Sequence, residues 1–329
     1  MWRTGRNPSW ALRLTGALLT LLAAPVWSQQ DHGMDFHQVT DGEPPPALHK
    51  YQARDGTPLH YREYAGTGDN DNDNDTIIVM LHGSGYHSGY LRPLAAGLAK
   101  SGTARVYTPD LRGHGPDPLH RGDVEYIGQL EDDLDDFLAL VRRAHPDAAL
   151  FLAGHSSGGG LAIRHAGGEP PVAVDGYILL APYIHHGAPT SVDSGSDWAD
   201  PKVPRLILLG ALNSVGITAL NGLTVIEFNM PESVRDGTET LAYTYRMQKS
   251  LHPRDHYRAD LAALRAPTLV LAGDDDGTFN SDAYAPLFGE HSGEAKVKIL
   301  EGVGHLGLIK SADTRGAIQQ WLTGPVRRD

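Results

Sequence analysis

The residues best suited to chemistry lie at three separated points of the chain. The run GHSSG at 154–158 matches the pattern G-x-S-x-G, in which a sharp strand-to-helix turn exposes a serine hydroxyl. The run GDDD lies at 273–276, and GVGH lies at 302–305. A serine hydroxyl becomes an effective nucleophile when a histidine takes its proton and an acidic residue orients that histidine. The three runs therefore predict nucleophilic catalysis by Ser156, with His305 as the base and one of the aspartates as the acid.

Each of these runs follows a stretch that predicts a strand, so the strands must position the site. Short apolar runs rich in β-branched residues alternate along the chain with segments of helical spacing, which predicts a mostly parallel sheet flanked by helices. The carboxyl ends of parallel strands meet at one edge of the sheet, where ligands bind. The predicted strands are 76–81, 104–107, 149–152, 176–180, 267–273 and 295–300.

The developing oxyanion of an acyl-transfer reaction needs two donors, which are usually backbone N–H groups. One is expected from Ser157, the residue after the nucleophile. The other is expected from Ser84, in the loop after the strand 76–81, where Gly83 leaves the backbone open. The identity of the acid is less clear, because three adjacent carboxylates raise the pKa of at least one of them. Residue types alone leave Asp274, Asp275 and Asp276 as alternatives.

Five motifs together resemble a known family. The loop HGSGYHSGY at 82–90 resembles the corresponding loop of monoacylglycerol lipases and related lysophospholipases in the α/β-hydrolase superfamily. The runs DLRGHG at 110–115, GHSSGG at 154–159, GDDD at 273–276 and GVGH at 302–305 are similar to further landmarks of that family, in the same order. The resemblance implies the α/β-hydrolase fold with a cap insertion, and it implies Asp276 as the acid of the triad. Ser157 departs from the methionine usual at its position in the lipase branch.

Composition and pattern divide the chain into segments. Three arginines precede the apolar run Leu14–Val26, so residues 1–28 are interpreted as a signal peptide, with an uncleaved anchor as the alternative. Residues 29–48 are interpreted as a flexible leader with little packing. The hydrolase core is predicted over 49–184 and 259–329. Regular patterning stops at 185–258, interpreted as a cap or lid insertion without a clear amphipathic helix. The mature protein is expected to be exported to a periplasm or the medium, with no stable membrane anchor.

Charge and residue usage exclude several functions. The net charge is −12 and no basic patch stands out, which argues against nucleic acid as a partner. The chain has no cysteine, which excludes thiolate catalysis. The histidine pairs lack H-E-x-x-H spacing, so neither a metal nor an organic cofactor is expected. The leading interpretation is a serine hydrolase that cleaves lipid-type or small acyl esters through an acyl-enzyme. The alternatives are a thioesterase, an amidase or aminopeptidase, and a catalytically silent binding protein of the same fold.

Overall fold

The computed structural model describes residues 34–36, 43–66, 75–168, 170–192 and 198–324. The segment interpreted as a signal peptide, 1–28, lies outside these ranges, so its cleavage stays a prediction. Within the described ranges, no helix has both the length and the apolar character needed to cross a membrane.

An eight-stranded sheet forms the centre of the described chain. Its strands are β1 (His49–Gln52), β2 (Pro58–Tyr64), β3 (Thr76–Leu81), β4 (Arg105–Asp110), β5 (Ala149–His155), β6 (Gly176–Leu180), β10 (Thr268–Gly273) and β11 (Ala295–Leu300). In space they run in the order β1-β2-β4-β3-β5-β6-β10-β11. The neighbours β1–β2 and β2–β4 pair antiparallel, and the other neighbours pair parallel, which confirms the predicted mostly parallel sheet.

Helices cover both faces of the sheet. All six residues of β3 are buried, and successive side chains enter two different cores because strand side chains alternate between faces. Ile77 and Val79 pack with one set of helices, and Ile78 and Met80 pack with the other. The first set is α2 (Gln129–Ala144), α3 (Ser157–Ala166) and α7 (Tyr284–His291), and the second is α1 (Arg92–Lys100), α8 (Gly307–Lys310) and α9 (Ala312–Thr323).

Between β6 and β10 the chain leaves the central sheet and builds a small second sheet. Its strands, in the order β7-β8-β9, pair antiparallel. The segment contains β7 (Ala199–Pro201), α4 (Val203–Ser214), β8 (Thr224–Phe228), β9 (Ala242–Thr244), α5 (Tyr245–Ser250) and α6 (Tyr257–Ala262).

The helix α4 lies in the segment that was expected to lack a clear amphipathic helix. Its apolar residues lie on more than one face: Leu209 is buried, whereas Ile207 and Leu208 are exposed. An apolar pattern that continues around the helix hides the periodicity of 3.6 residues by which an amphipathic helix is recognised.

The prediction of little packing over 29–48 is wrong at Phe36, which is only 5% exposed. Its ring lies 6.0 Å from that of Tyr86 and 5.2 Å from that of Trp198. Both partners are remote in sequence, so the polar surroundings of Phe36 gave no sign of this burial.

Candidate active site

The turn around Ser156 is tight and strained. Ser156 joins the end of β5 to the start of α3 and has φ 55° and ψ −124°, a backbone conformation that residues other than glycine rarely adopt. A Cβ at Gly154 would lie 2.3 Å from the carbonyl oxygen of Gly158, and a Cβ at Gly158 would lie 2.4 Å from that of His82. Both glycines of the G-x-S-x-G pattern are therefore required by close backbone approach.

His305 and Asp276 form a buried pair at the carboxyl ends of β11 and β10. The Nδ1 atom of His305 lies 2.8 Å from Oδ2 of Asp276. The other carboxylate oxygen accepts hydrogen bonds from the amides of Thr278, at 2.8 Å, and Phe279, at 3.1 Å. Burial alone would raise the pKa of Asp276, but His305 and these amides lower it below the ordinary value. Asp276 is thus a carboxylate at neutral pH.

This pairing leaves the second nitrogen of His305 available. Because the carboxylate only accepts, Nδ1 of His305 carries the proton, and in a neutral imidazole the lone pair is then on Nε2. Nε2 is buried and has no hydrogen-bond partner within the described ranges. His305 and Ser156 line the same cavity of about 580 Å³. The two side chains share no direct hydrogen bond in that part of the chain.

The neighbouring aspartates occupy different environments. Asp274 and Asp275 are exposed, whereas Asp276 is buried. Asp274 uses Oδ1 to accept a hydrogen bond of 2.7 Å from the amide of Gly302, which fixes the turn after β11. Of the three aspartates, Asp276 is the one that contacts His305. The family resemblance implied Asp276 as the acid, whereas residue types alone left all three aspartates as alternatives.

The two amides expected to bind the oxyanion make no hydrogen bond to the described protein. Within the described residues, the backbone N–H groups of Ser84 and Ser157 donate to no protein acceptor. The amides on either side of Ser84, those of Gly83 and Gly85, donate to tyrosine hydroxyls at 2.7 and 2.8 Å. The Oγ atoms of Ser84 and Ser157 lie 2.8 Å apart, which joins the two loops. The loop therefore leaves the Ser84 amide available for a ligand.

A chain of hydrogen bonds connects this loop to His305. Gly83 donates through its amide to the hydroxyl of Tyr90, which lies 2.8 Å from Nδ1 of His155. Nε2 of His155 lies 3.1 Å from the carbonyl oxygen of His305. A carbonyl only accepts, so Nε2 of His155 is the donor, and Nδ1 accepts from Tyr90. Burial and the nearby His305 lower the pKa of His155 to about 3, so it stays neutral. Apart from its place in the loop motif, nothing in the residue types around Tyr90 indicates this role.

Replacing Tyr90 with phenylalanine removes the middle of this chain. The Gly83 amide and His155 Nδ1 lose their partners in a buried region, so we expect the free energy of unfolding to fall by about 1–3 kcal/mol. Urea unfolding measures this change. Tyr257→Phe is a matched control, because the buried hydroxyl of Tyr257 has no partner within the described ranges. Equal effects of the two variants would contradict the assignment.

Aromatic, aliphatic and polar side chains line the cavity. One part is a series of aromatic rings, in which Phe36 contacts Tyr86 and Trp198, and Trp198 lies 5.3 Å from Phe228. The helix α4 adds aliphatic side chains, among them Leu206 and Ile207. A further part is polar and contains the ion pair of Lys249 with Asp255 and the ring of His185. In the portion of the chain that the structure describes, histidine, aspartate and glutamate side chains form no group of three able to hold a metal ion.

Because several histidines are buried, we expect the free energy of unfolding to fall in mild acid. Burial lowers the pKa of His82 to about 4, and of His155 and His252 to about 3, from an ordinary value of 6.5. Between pH 6.5 and about 4 the unfolded chain binds protons that the folded chain does not. Each such histidine therefore lowers the free energy of unfolding by up to about 1.4 kcal/mol per pH unit as the pH falls. Asp276, with its lowered pKa, adds slope of the same sign only near pH 4 and below, where the unfolded carboxylate begins to bind a proton.

Urea unfolding at pH 7, 6 and 5 tests this expectation. The His252→Gln variant is expected to show a shallower pH dependence than the native chain, because it lacks one of the histidines whose pKa folding lowers. The same free energy of unfolding at pH 7 and pH 5 in the native chain would contradict the prediction.

The chain resembles a known protein family and known lipases in its amino-acid sequence. The family model described as "Serine aminopeptidase, S33" matches residues 72–309. Human monoglyceride lipase is 29% identical over 258 residues, which cover 77% of this chain and 81% of the human one. A monoglyceride lipase homologue of monkeypox virus is 27% identical over 244 residues, covering 70% and 81% of the two chains.

Solved structures show the same fold. A soluble variant of monoglyceride lipase from Saccharomyces cerevisiae, bound to a substrate analogue, aligns with a TM-score of 0.64 and 16% identity, covering 87% of this chain and 96% of that one. A thermostable carboxyl esterase from Bacillus coagulans, bound to glycerol, aligns with a TM-score of 0.61 and 17% identity, covering 85% and 99%. At these identities the likeness concerns the fold.

Proposed function

Because this chain belongs to the serine aminopeptidase S33 family of α/β-hydrolases, we propose that it hydrolyses carboxylic esters through an acyl-enzyme formed on Ser156. The observation that carries the proposal is the pair of His305 and Asp276, with Nε2 of His305 unpartnered beside the cavity that Ser156 also lines. In this proposal Nε2 takes the proton of the Ser156 hydroxyl as its Oγ attacks the ester carbonyl. The Asp276 carboxylate holds the imidazole in the required tautomer and stabilises the imidazolium that forms.

The remaining steps use groups already in place. The carbonyl oxygen becomes an oxyanion, and the amides of Ser84 and Ser157 would donate to it. The imidazolium of His305 then returns its proton to the departing alcohol. Water attacks the acyl-enzyme with His305 again as base, which releases the acid and restores the Ser156 hydroxyl.

The cavity supports an ester with an apolar acyl group. The aromatic rings of Phe36, Tyr86, Trp198 and Phe228 offer an acyl chain an uncharged surface, while a polar alcohol fits the part that contains His185 and Lys249. The two relatives described above are named as monoglyceride lipases, which agrees with a lipid ester as substrate. We also propose that residues 185–258 act as a cap, because Trp198 and Phe228 from this segment line the cavity.

An aminopeptidase is the second candidate, because the family description names that activity. An enzyme that binds the α-ammonium group of a peptide needs a carboxylate free to pair with it. Among the described residues that line the cavity, Asp255 is the one with a carboxylate side chain. This carboxylate is already paired with Lys249. The ester is therefore the better-supported substrate.

A panel of p-nitrophenyl esters of graded acyl length, run beside aminoacyl p-nitroanilides, tests the two candidates. We expect kcat/KM to be higher for the esters, and the reverse order would overturn the ester proposal. Labelling by a fluorophosphonate, expected in the native chain, distinguishes an enzyme from a catalytically silent binding protein. If the native chain is not labelled, the binding protein is favoured.

Export is a further proposal, and it rests on residues 1–28 alone, where arginines precede the apolar run Leu14–Val26. An intact-mass measurement on protein recovered outside the cytoplasm tests it. A mass that includes Met1 would contradict cleavage.

A further inference from the structure

One wall of the cavity comes from outside the two segments that make up the hydrolase core. Met34 and Phe36 precede β1, the first strand of the sheet, yet both line the cavity that Ser156 lines. Phe36 is almost completely buried. A lone aromatic residue in a polar stretch is thus held at the site of the proposed reaction.

The contacts of Phe36 explain why it is held there. Its ring lies 6.0 Å from the ring of Tyr86, which belongs to the same loop, 82–90, as Ser84. On another side it lies 5.2 Å from the ring of Trp198, which itself stacks on Phe228 at 5.3 Å. Phe36 therefore bridges the oxyanion loop and the segment that holds the small sheet. Aromatic pairs at such distances add stability beyond the area that they bury.

We propose that Phe36 determines acyl-chain specificity by forming the wall on which the acyl chain of the ester packs. The inference rests on the proposed ester hydrolysis. All four rings of the series Tyr86–Phe36–Trp198–Phe228 line the cavity and none carries a charge at neutral pH, so the series forms a continuous uncharged surface within it. An acetyl group is too short to extend far from Ser156, whereas a ten-carbon acyl chain needs an apolar surface along its length. Each methylene that packs there contributes to binding in the transition state.

The test compares Phe36→Ala with the native chain on p-nitrophenyl acetate and p-nitrophenyl decanoate. We expect kcat/KM for decanoate to fall about tenfold, which corresponds to about 1.4 kcal/mol. We expect kcat/KM for acetate to change less than twofold, roughly the scatter of such measurements. Inactivation rates with a long-chain and a short-chain alkyl fluorophosphonate should show the same selective loss. The Phe36→Leu variant keeps apolar bulk and is expected to recover most of the decanoate activity.

A control variant at Tyr51 separates this role from a general effect on folding. Tyr51 is an aromatic residue of β1; it packs on Phe137, with ring centroids 4.9 Å apart, and is not among the residues lining the cavity. Tyr51→Ala is expected to alter stability without changing the ratio of decanoate to acetate activity. An unchanged ratio in Phe36→Ala, or an equal loss on both esters, would overturn the inference. If the native chain hydrolyses neither ester, the proposed function itself fails, which is a separate result.

Discussion

Replacement of Ser156 with alanine is expected to lower kcat for ester hydrolysis by about 10⁴- to 10⁶-fold. The variant keeps the fold and the oxyanion donors but has no atom that can form the acyl-enzyme. Stopped-flow or steady-state assays with p-nitrophenyl esters measure the loss, and labelling by a fluorophosphonate should disappear completely. Alanine also relieves no backbone strain, because its φ at this position is as unfavourable as that of serine.

The matched control is Ser191→Ala. The hydroxyl of Ser191 belongs to the same cavity wall, but it donates to the carbonyl oxygen of His185 at 2.7 Å. We expect this variant to retain activity within about tenfold, since at most one hydrogen bond of ordinary strength is lost. If Ser156→Ala still hydrolyses esters at a rate comparable with Ser191→Ala, the acyl-enzyme mechanism is wrong.

The Asp276→Asn variant is expected to lose about 10⁴-fold in kcat. An amide can donate to Nδ1 of His305, and this favours the tautomer with its proton on Nε2, which cannot act as a base towards Ser156. The amide also fails to stabilise the imidazolium that forms in the transition state. Activity against a short ester, in which binding of the acyl chain plays little part, gives the most direct measurement of this loss.

The adjacent aspartates provide the controls for this variant. Asp275→Asn changes an exposed side chain and is expected to leave kcat within about twofold. Asp274→Asn weakens the hydrogen bond from the Gly302 amide, at a cost in stability of about 1 kcal/mol, with kcat largely retained. A loss in Asp274→Asn as large as that in Asp276→Asn would refute the assignment of the acid.

Much of the core could be predicted because its signals are local. The strands 76–81 and 176–180 are continuous apolar runs, and their predicted bounds agree with the structure. The turn at Ser156 was recognised because backbone crowding demands glycine at fixed positions around it. The choice of Asp276 is different. It depends on how the chain after β10 turns towards His305, and three identical side chains in a row carry no information about that direction.

Two features that the sequence does not indicate have different physical causes. Phe36 is buried because Tyr86 and Trp198 meet around it, which nothing in its own neighbourhood indicates. The helix α4 was missed because its exposed apolar residues blur the pattern that separates a buried face from a solvated one. In both cases the neighbouring residues in the sequence do not show whether a side chain is buried or exposed, because its surroundings are set by tertiary structure.

The position of β11 at one edge of the sheet has a consequence for how activity arises. Ser156 follows β5, in the middle of the sheet, while His305 follows its last strand. β10 pairs with β6, and Thr268 lies opposite Tyr177 although the two residues are far apart in sequence. β11 is the edge strand and pairs with β10, so β10 must be in place before β11 can join the sheet. Such long-range parallel pairing is slow, because the entropy of loop closure is spent before the contacts form. A chain refolding from denaturant should therefore regain the nucleophile turn before the base, and catalytic activity should return with the final docking of β11.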